Sequence, residues 1–391
     1  MKSVADAPQH RFQDTLAQSL EGTTDSDASF DIARYWLKQC EEAHIIWGGM
    51  VPLRLLQANM TALQTSIDLS QLPNTFRDAV GIVKRLELRH LWIDSLCIIQ
   101  DSPNNEDWAK ESVKMGDVYK HSWCNLAASK ARNANGGCYT QRTAQSALPC
   151  AVRARVSGRA PVSLYCWDGD MLGANLDESN LVRRGWVVQE KILSRRVLHF
   201  CADQLFWECV SLRACEMFPG GVPNNTAAKP STNTVSLRNH LLRSRDPVIQ
   251  RYQLWDQFVQ IYTRANLTFP EKDKLVAISG LARELFPNGQ YLAGLWRDIL
   301  PYQLMWSTSS GDCTSRDNER APSWSWASIN GPLFARTPTE HGAGSRLLAT
   351  VLEATTKLTG DDAFGRVSAG EIRLEVPLCR VTVSRCYDRY N

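Results

Sequence analysis

The carboxylate hardest to explain by packing alone is Glu190. It sits in the stretch 181–194, LVRRGWVVQEKILS, whose apolar spacing predicts a helix. At helical spacing residues 186, 189, 190 and 193 share one face, and Trp186 and Leu193 mark that face as the buried one. A carboxylate there costs several kcal/mol unless it is paired, hydrogen-bonded or open to a cleft. Two readings stay open: an ion pair with Arg183 or Arg184, and a cleft carboxylate able to carry chemistry. In the second reading Glu190 is catalytic, with Trp186, Gln189 and Arg184 as substrate-binding neighbours.

Asp94 is the second catalytic candidate. RHLWID, 89–94, reads as a strand, which puts Asp94 at its carboxyl end, where open α/β sheets hold ligands. Asp94 also suits the cap of a helix begun by SLCIIQ, and that reading is preferred. Cys97 has the chemistry of a nucleophile, but it stands among Leu96, Ile98 and Ile99 with no histidine near in sequence. A packed core thiol is expected there. Gln100 and Asp101 line the same rim or open the next loop. Trp47, Gly48 and Gly49 read as a strand-to-loop turn that lets a ligand approach backbone N–H groups, and are taken as substrate-binding.

Other chemistries find no support. There is no G-x-x-x-x-G-K-[ST] or G-x-G-x-x-G phosphate loop, and no G-x-S-x-G elbow. The 7 histidines are dispersed with no H-E-x-x-H, so neither a metal nor a resident cofactor is expected. Lys and Arg number 44 against 41 Asp and Glu, interspersed, which argues against the dense basic face of a nucleic-acid binder. The 12 cysteines are scattered without a C-x-x-C pair and are expected to be small buried hydrophobes, not ligands or disulfides. The start lacks the apolar stretch of a signal peptide, and no run of about 20 apolar residues occurs, so no membrane span is expected. The expected compartment is the cytoplasm.

These candidates need a scaffold, and hydrophobic residues at 43% supply ample core. Residues 1–29 read as a polar arm. Ile32, Tyr35 and Trp36 recur at helix spacing, HIIWGG reads as a short strand, and 55–67 reads as helical. Asn74 and Thr75 suit the cap of a helix carrying Phe76, Ala79, Val80, Val83 and Leu86. Then come RHLWID, a helix over 107–120, the strand CNLAAS and the turn NANGGCY. The 181–194 helix is followed by the strand runs RVLHFC and DQLFWEC. This alternation predicts an α/β fold with a mostly parallel sheet and flanking helices over roughly 44–215. The segment 222–234 reads as a linker between a core of 30–221 and a mixed α+β part of 235–391. Helices are expected near 248–264 and 273–285, with PSWSWAS and IRLEVPL as strands.

The order of these blocks resembles the heterokaryon-incompatibility (HET) family. LPNTFRDAV, LWIDSLCIIQD, DW at 107–108, M-x-x-VY at 115–119, NLAAS, GGCYTQR, RRGWVVQEKILSRRVLHF and QLFWEC follow one another as in that family. LTFPEKDKLVAISGLA, AGLW, QLMW and PSWSWAS continue the likeness over about 30–380. Long family members carry some dozens of residues before the W-G strand, whereas here His44 runs straight into Ile45, which shortens the first strand. The resemblance implies a fungal effector of non-self recognition and programmed cell death, with a homo-oligomer or an incompatibility protein as partner. The HET fold is remotely similar to the TIR domain, so the sheet is expected to be TIR-like or flavodoxin-like. In TIR domains a glutamate four residues after a tryptophan can serve NAD glycohydrolysis, and Trp186 and Glu190 match that spacing. NAD is thereby implied as a substrate. The alternatives are a biosynthetic enzyme using the same cleft on another small molecule, and a non-enzymatic interaction module.

Overall fold

Short apolar runs build the strands and the amphipathic stretches between them build the helices. The structure, a computed structural model, describes residues 22–39, 45–47, 54–143, 149–155, 161–167, 171–223, 234–242, 246–308, 319–335 and 348–378. The first helices are α1 (Asp27–Lys38), α2 (Met60–Thr65), α3 (Asn74–Arg85), α4 (Asp94–Cys97) and α5 (Glu106–Lys120). The first strands are β1 (Ile45–Trp47), β2 (Leu91–Ile93) and β3 (Cys124–Ala127). A hairpin of β4 (Cys150–Ala154) and β5 (Val162–Cys166) precedes α6 (Gly185–Leu193), and β6 (Arg196–Phe200), β7 (Leu205–Cys209) and β8 (Arg213–Cys215) complete the sheet.

The sheet has six strands in the order β2-β1-β3-β6-β7-β8. Its first four strands are parallel, and β7 and β8 are antiparallel additions. The mostly parallel expectation therefore becomes a mixed α/β sheet. The reason is connection length: residues 201–204 join β6 to β7, far too few for a parallel crossover.

Register separates the two faces. Asn125 pairs with Val197, Val197 with Glu208, and Glu208 with Arg213, so these positions share one face, with His199 two residues along. The alternate positions Leu126, Leu198, Phe200, Leu205 and Trp207 lie on the opposite face and pack under α1 and α3, against Phe30, Trp36, Phe76 and Ile82. The indole of Trp36 stacks on Trp207 at 6.1 Å. At that end of the sheet the buried pair Arg142–Glu216 ties in α1, because the Ser29 hydroxyl also donates to Glu216.

Against the polar face lie α5 and α6. Behind them stand α7 (Thr234–Leu242), α8 (Val248–Tyr262), α9 (Pro270–Asp273) and α10 (Val276–Leu285). The second core, with Met115, Ile192, Leu193, Trp255, Phe258, Ile278 and Leu281, fills the space between them. It continues under α11 (Leu300–Gln303) and the short strand pairs β9 (Tyr291–Leu292) with β10 (Leu295–Trp296) and β11 (Ser307–Thr308) with β12 (Leu333–Phe334). A last hairpin joins β13 (Thr350–Leu358) to β14 (Val367–Glu375). No helix among the described residues is long and apolar enough to cross a membrane.

Several local expectations are corrected. Pro73, not Asn74 or Thr75, occupies the cap of α3. Asn74 instead donates to the Asn135 carbonyl at 2.9 Å and Thr75 to that of Ala134 at 2.6 Å, which fastens the NANGGCY turn to the helix. PSWSWAS is not a strand: Ser325 accepts from the Ala327 N–H at 3.0 Å and folds 326–328 into a 3₁₀ turn. Trp326 is thereby buried, its indole N–H donating to the Gly294 carbonyl. The 55–67 helix shrinks to α2, and α1 already includes Asp27, Ala28 and Ser29. Cysteines 124, 138, 201, 209 and 215 are buried as expected, whereas 97, 150 and 166 are exposed. The start, 1–21, and most of the 222–234 linker lie outside the described residues.

Candidate functional site

Helix α6 is buried on nearly all sides, from Gly185 through Leu193 with Trp186 half-buried. Its entry is tight at Gly185, where a Cβ would come within 2.5 Å of the Leu267 side chain, so a larger residue there requires that side chain to move. Because both sides are packed, the helix has two working faces. Trp186, Gln189 and Leu193 turn toward the C-terminal core. The Trp186 indole N–H donates to Asp273 at 3.1 Å, and its ring meets Trp108 edge-on at 6.3 Å. The Gln189 side-chain oxygen accepts from the Gly280 N–H at 2.7 Å, where α5 and α10 cross through Gly116 and Gly280. Val187, Glu190 and Lys191 turn instead to the polar face of the sheet. The single face expected for 186, 189, 190 and 193 is thus corrected: Glu190 parts from the other three.

Glu190 is only 6% exposed. Among the described residues no cation lies within 4.0 Å of it, so the ion pair with Arg183 or Arg184 does not form. Its carboxyl is pushed up to about 7, first by burial. The Arg184 guanidinium opposes this rise, the Asp94 charge adds to it, and the Tyr119 hydroxyl opposes it. Tyr119 is fully buried on α5 with the Trp92 ring edge-on at 6.0 Å. Its hydroxyl sits beside the Glu190 carboxyl but completes no hydrogen bond of ordinary geometry. Asp94 is half-buried at the first position of α4, directly after β2, and accepts from the Ser95 N–H at 2.7 Å. The cap position is held by Ile93, so the expected capping role of Asp94 is corrected, while its charge acts on Glu190.

Next to this pair lies a chain of buried polar groups that the sequence reading did not single out. Glu208 is fully buried and ionised, held well below the usual carboxylate range against its own desolvation by Lys191 at 3.3 Å, His199 at 3.1 Å and Arg213 at 3.0 Å. Burial, with Lys191 and Arg238 adding to it, pushes His199 down to about 4 and leaves it neutral. Its Nε2–H then donates to Glu208, and Nδ1 accepts from the Ser129 hydroxyl at 3.1 Å. Ser, His and Glu are the types of a nucleophilic triad, but Ser129 is closed in. Glu190, Lys191, Ser129 and His199 line one cavity with about 10 Å³ open to a water's centre, room for one water molecule. The signal for this chain was present: a histidine and a glutamate inside otherwise apolar strands must find partners.

The remaining candidates are dispersed. Trp47 ends β1, while Gly48 and Gly49 lie outside the described residues. Cys97 is exposed, not packed, because 94–97 form a helical turn and not a strand. Its thiol is raised by desolvation and by the Asp94 and Glu111 charges, the opposite of an activated nucleophile. Asp101 accepts from the Gln57 N–H at 2.8 Å, and the Gln100 amide donates to the Ile98 carbonyl. A wider hollow of about 570 Å³ between Trp306 and Trp324 is lined by none of these residues. Among the described residues no group of three or more His, Cys, Asp or Glu could hold a metal ion.

No curated protein and no solved structure matches the chain. A family model does: that of the heterokaryon incompatibility protein (HET), over residues 45–190. The match begins at the first residue of β1 and ends on Glu190 itself, so residues 45–190 of this chain are similar to the HET family.

Proposed function

We propose that the chain acts in heterokaryon incompatibility, the role its likeness to the HET family suggests, and does so by hydrolysing the nicotinamide–ribose bond of NAD at Glu190. In this reading it is a cytoplasmic effector of fungal non-self recognition and cell death, working as a homo-oligomer or with an incompatibility partner. One observation carries the chemistry: Glu190 is buried without an ion-pair partner, beside Asp94 and within the field of Arg184. The reaction asks little else of the protein. Nicotinamide departs as a neutral ring, so its departure needs no proton donor. The site has to stabilise positive charge developing on the ribose and supply a water. Ionised Glu190 supplies the negative charge, with Asp94 beside it, and the single-water cavity lined by Glu190 suits the attacking water. Arg184, at the rim, suits a phosphate of the dinucleotide.

A second reading, a non-enzymatic interaction module, is favoured by the size of that cavity, about 10 Å³ against the roughly 300 Å³ or more of ordinary ligand pockets. Nicotinamide release from NAD separates the two. The enzyme reading expects release that rises with pH through about 7, as Glu190 ionises. It also expects a loss on the order of 100-fold in Glu190→Gln. No release from folded protein at high concentration removes this reading, and undiminished release in the variant removes Glu190 from the site.

A further inference from the structure

The β4–β5 hairpin, inserted between β3 and α6, begins and ends on cysteine. Cys150 opens β4, Cys166 closes β5, and the two are direct partners in an antiparallel ladder whose five pairs run without a register shift. Directly opposed residues project their side chains to the same face of the ribbon. Their Cα atoms stand about 4.5 or 5.5 Å apart, depending on pair type, inside the roughly 4.4–6.8 Å that a disulfide spans. Both residues are exposed, whereas Cys124, Cys138, Cys201, Cys209 and Cys215 are buried. The base of the hairpin is also fastened to the body, because Trp167, immediately after Cys166, sits edge-on to Phe218 at 5.1 Å. The thiols are thus held in register before any bond joins them.

We propose that Cys150 and Cys166 form a reversible cross-strand disulfide, a modification site that reacts with low-molecular-weight disulfides such as glutathione disulfide. One cysteine thiolate attacks the reagent's S–S bond, forming a mixed disulfide and releasing one glutathione thiolate. The opposed cysteine, as thiolate, attacks the protein sulfur of that mixed disulfide and expels the second glutathione. Two cysteine S–H bonds are lost and one S–S bond forms. The two electrons reduce the glutathione disulfide to two thiols. An exposed bridge of this kind belongs to the readily reduced class of disulfides, so excess dithiol returns the protein to its starting state. This differs from the expectation that the cysteines serve only as small hydrophobes.

The test equilibrates the folded full-length chain with reduced and oxidised glutathione, alkylates the remaining thiols and maps the peptides by mass spectrometry. The expected result is one cross-linked species joining the Cys150 and Cys166 peptides, lighter by two hydrogens and reversed by dithiothreitol. In Cys150→Ser or Cys166→Ser the cross-link disappears and glutathione stays on the remaining cysteine. Glutathione adducts accumulating on both cysteines of the parent protein without a cross-link would overturn the proposal. So would a bridge from either cysteine to Cys97. The parent protein alone decides the matter, so the result does not depend on how well the variants fold.

Discussion

The two faces of the six-stranded sheet are built from the same strands and follow opposite rules. Under α1 and α3, Leu126, Leu198, Phe200, Leu205 and Trp207 meet an apolar layer, and the gain comes from area removed from water. Under α6 the alternate positions carry Asn125, His199, Glu208 and Arg213, facing Glu190 and Lys191. Burial there is a cost, offset only where charges are paired. Glu208 has three partners and stays ionised, whereas Glu190 has none within ion-pair distance and holds its proton up to about 7. The buried carboxyl without an ion-pair partner falls on this face, and perturbed groups concentrate at functional sites, which makes this face the candidate site.

Substitutions can break this contrast. The largest effect is expected on the apolar face: Trp207→Ala, which empties a fully buried indole site stacked on Trp36, should cost about 3–5 kcal/mol. That loss should not vary with pH, and denaturant midpoints at two pH values check it. On the polar face Glu208→Gln should cost about 3 kcal/mol at neutral pH, because Lys191 and Arg213 lose their shared counter-charge. This loss should shrink as pH falls below the ordinary carboxylate range, because Glu208 is held ionised well below it, a dependence that the Trp207 variant should not show. Equal pH responses in the two variants would erase the distinction between the faces.

The strands and helices of the HET-like region were legible because their apolar periods match buried faces, as in α3 and β3. The antiparallel turn of β7 was legible too, had the four residues between β6 and β7 been weighed against the length of a crossover. What periodicity could not give was the direction of Glu190. On a helix packed on both sides, Trp186 and Glu190 are four residues apart yet serve different layers, since nearly every position is buried. Tyr119 stands out in the sequence only as the end of the M-x-x-VY block, and the packing of α5 against α6 puts its hydroxyl beside Glu190. His199 and Glu208 were passed over as strand residues although a buried charge inside an apolar strand is itself a signal. PSWSWAS misled because alternating tryptophans imitate a strand, while the serine hydroxyls between them close a turn.

Glu190 is a desolvated carboxyl with no cation within ion-pair distance among the described residues. Its folded-state value, about 7, lies above the ordinary 4.5, so the folded protein binds a proton that the unfolded chain has released between these limits. Glu190 therefore adds no penalty below about 4.5 and an increasing one as pH rises through 7, amounting to roughly 3 kcal/mol. The decisive measurement is the urea unfolding free energy of the parent protein and of Glu190→Gln across this range. The variant should be the more stable by up to roughly 3 kcal/mol at about pH 8, with the advantage fading toward about pH 4.5. A variant less stable than the parent at about pH 8 would mean that Glu190 is a structural ion-pair partner, and would contradict the account.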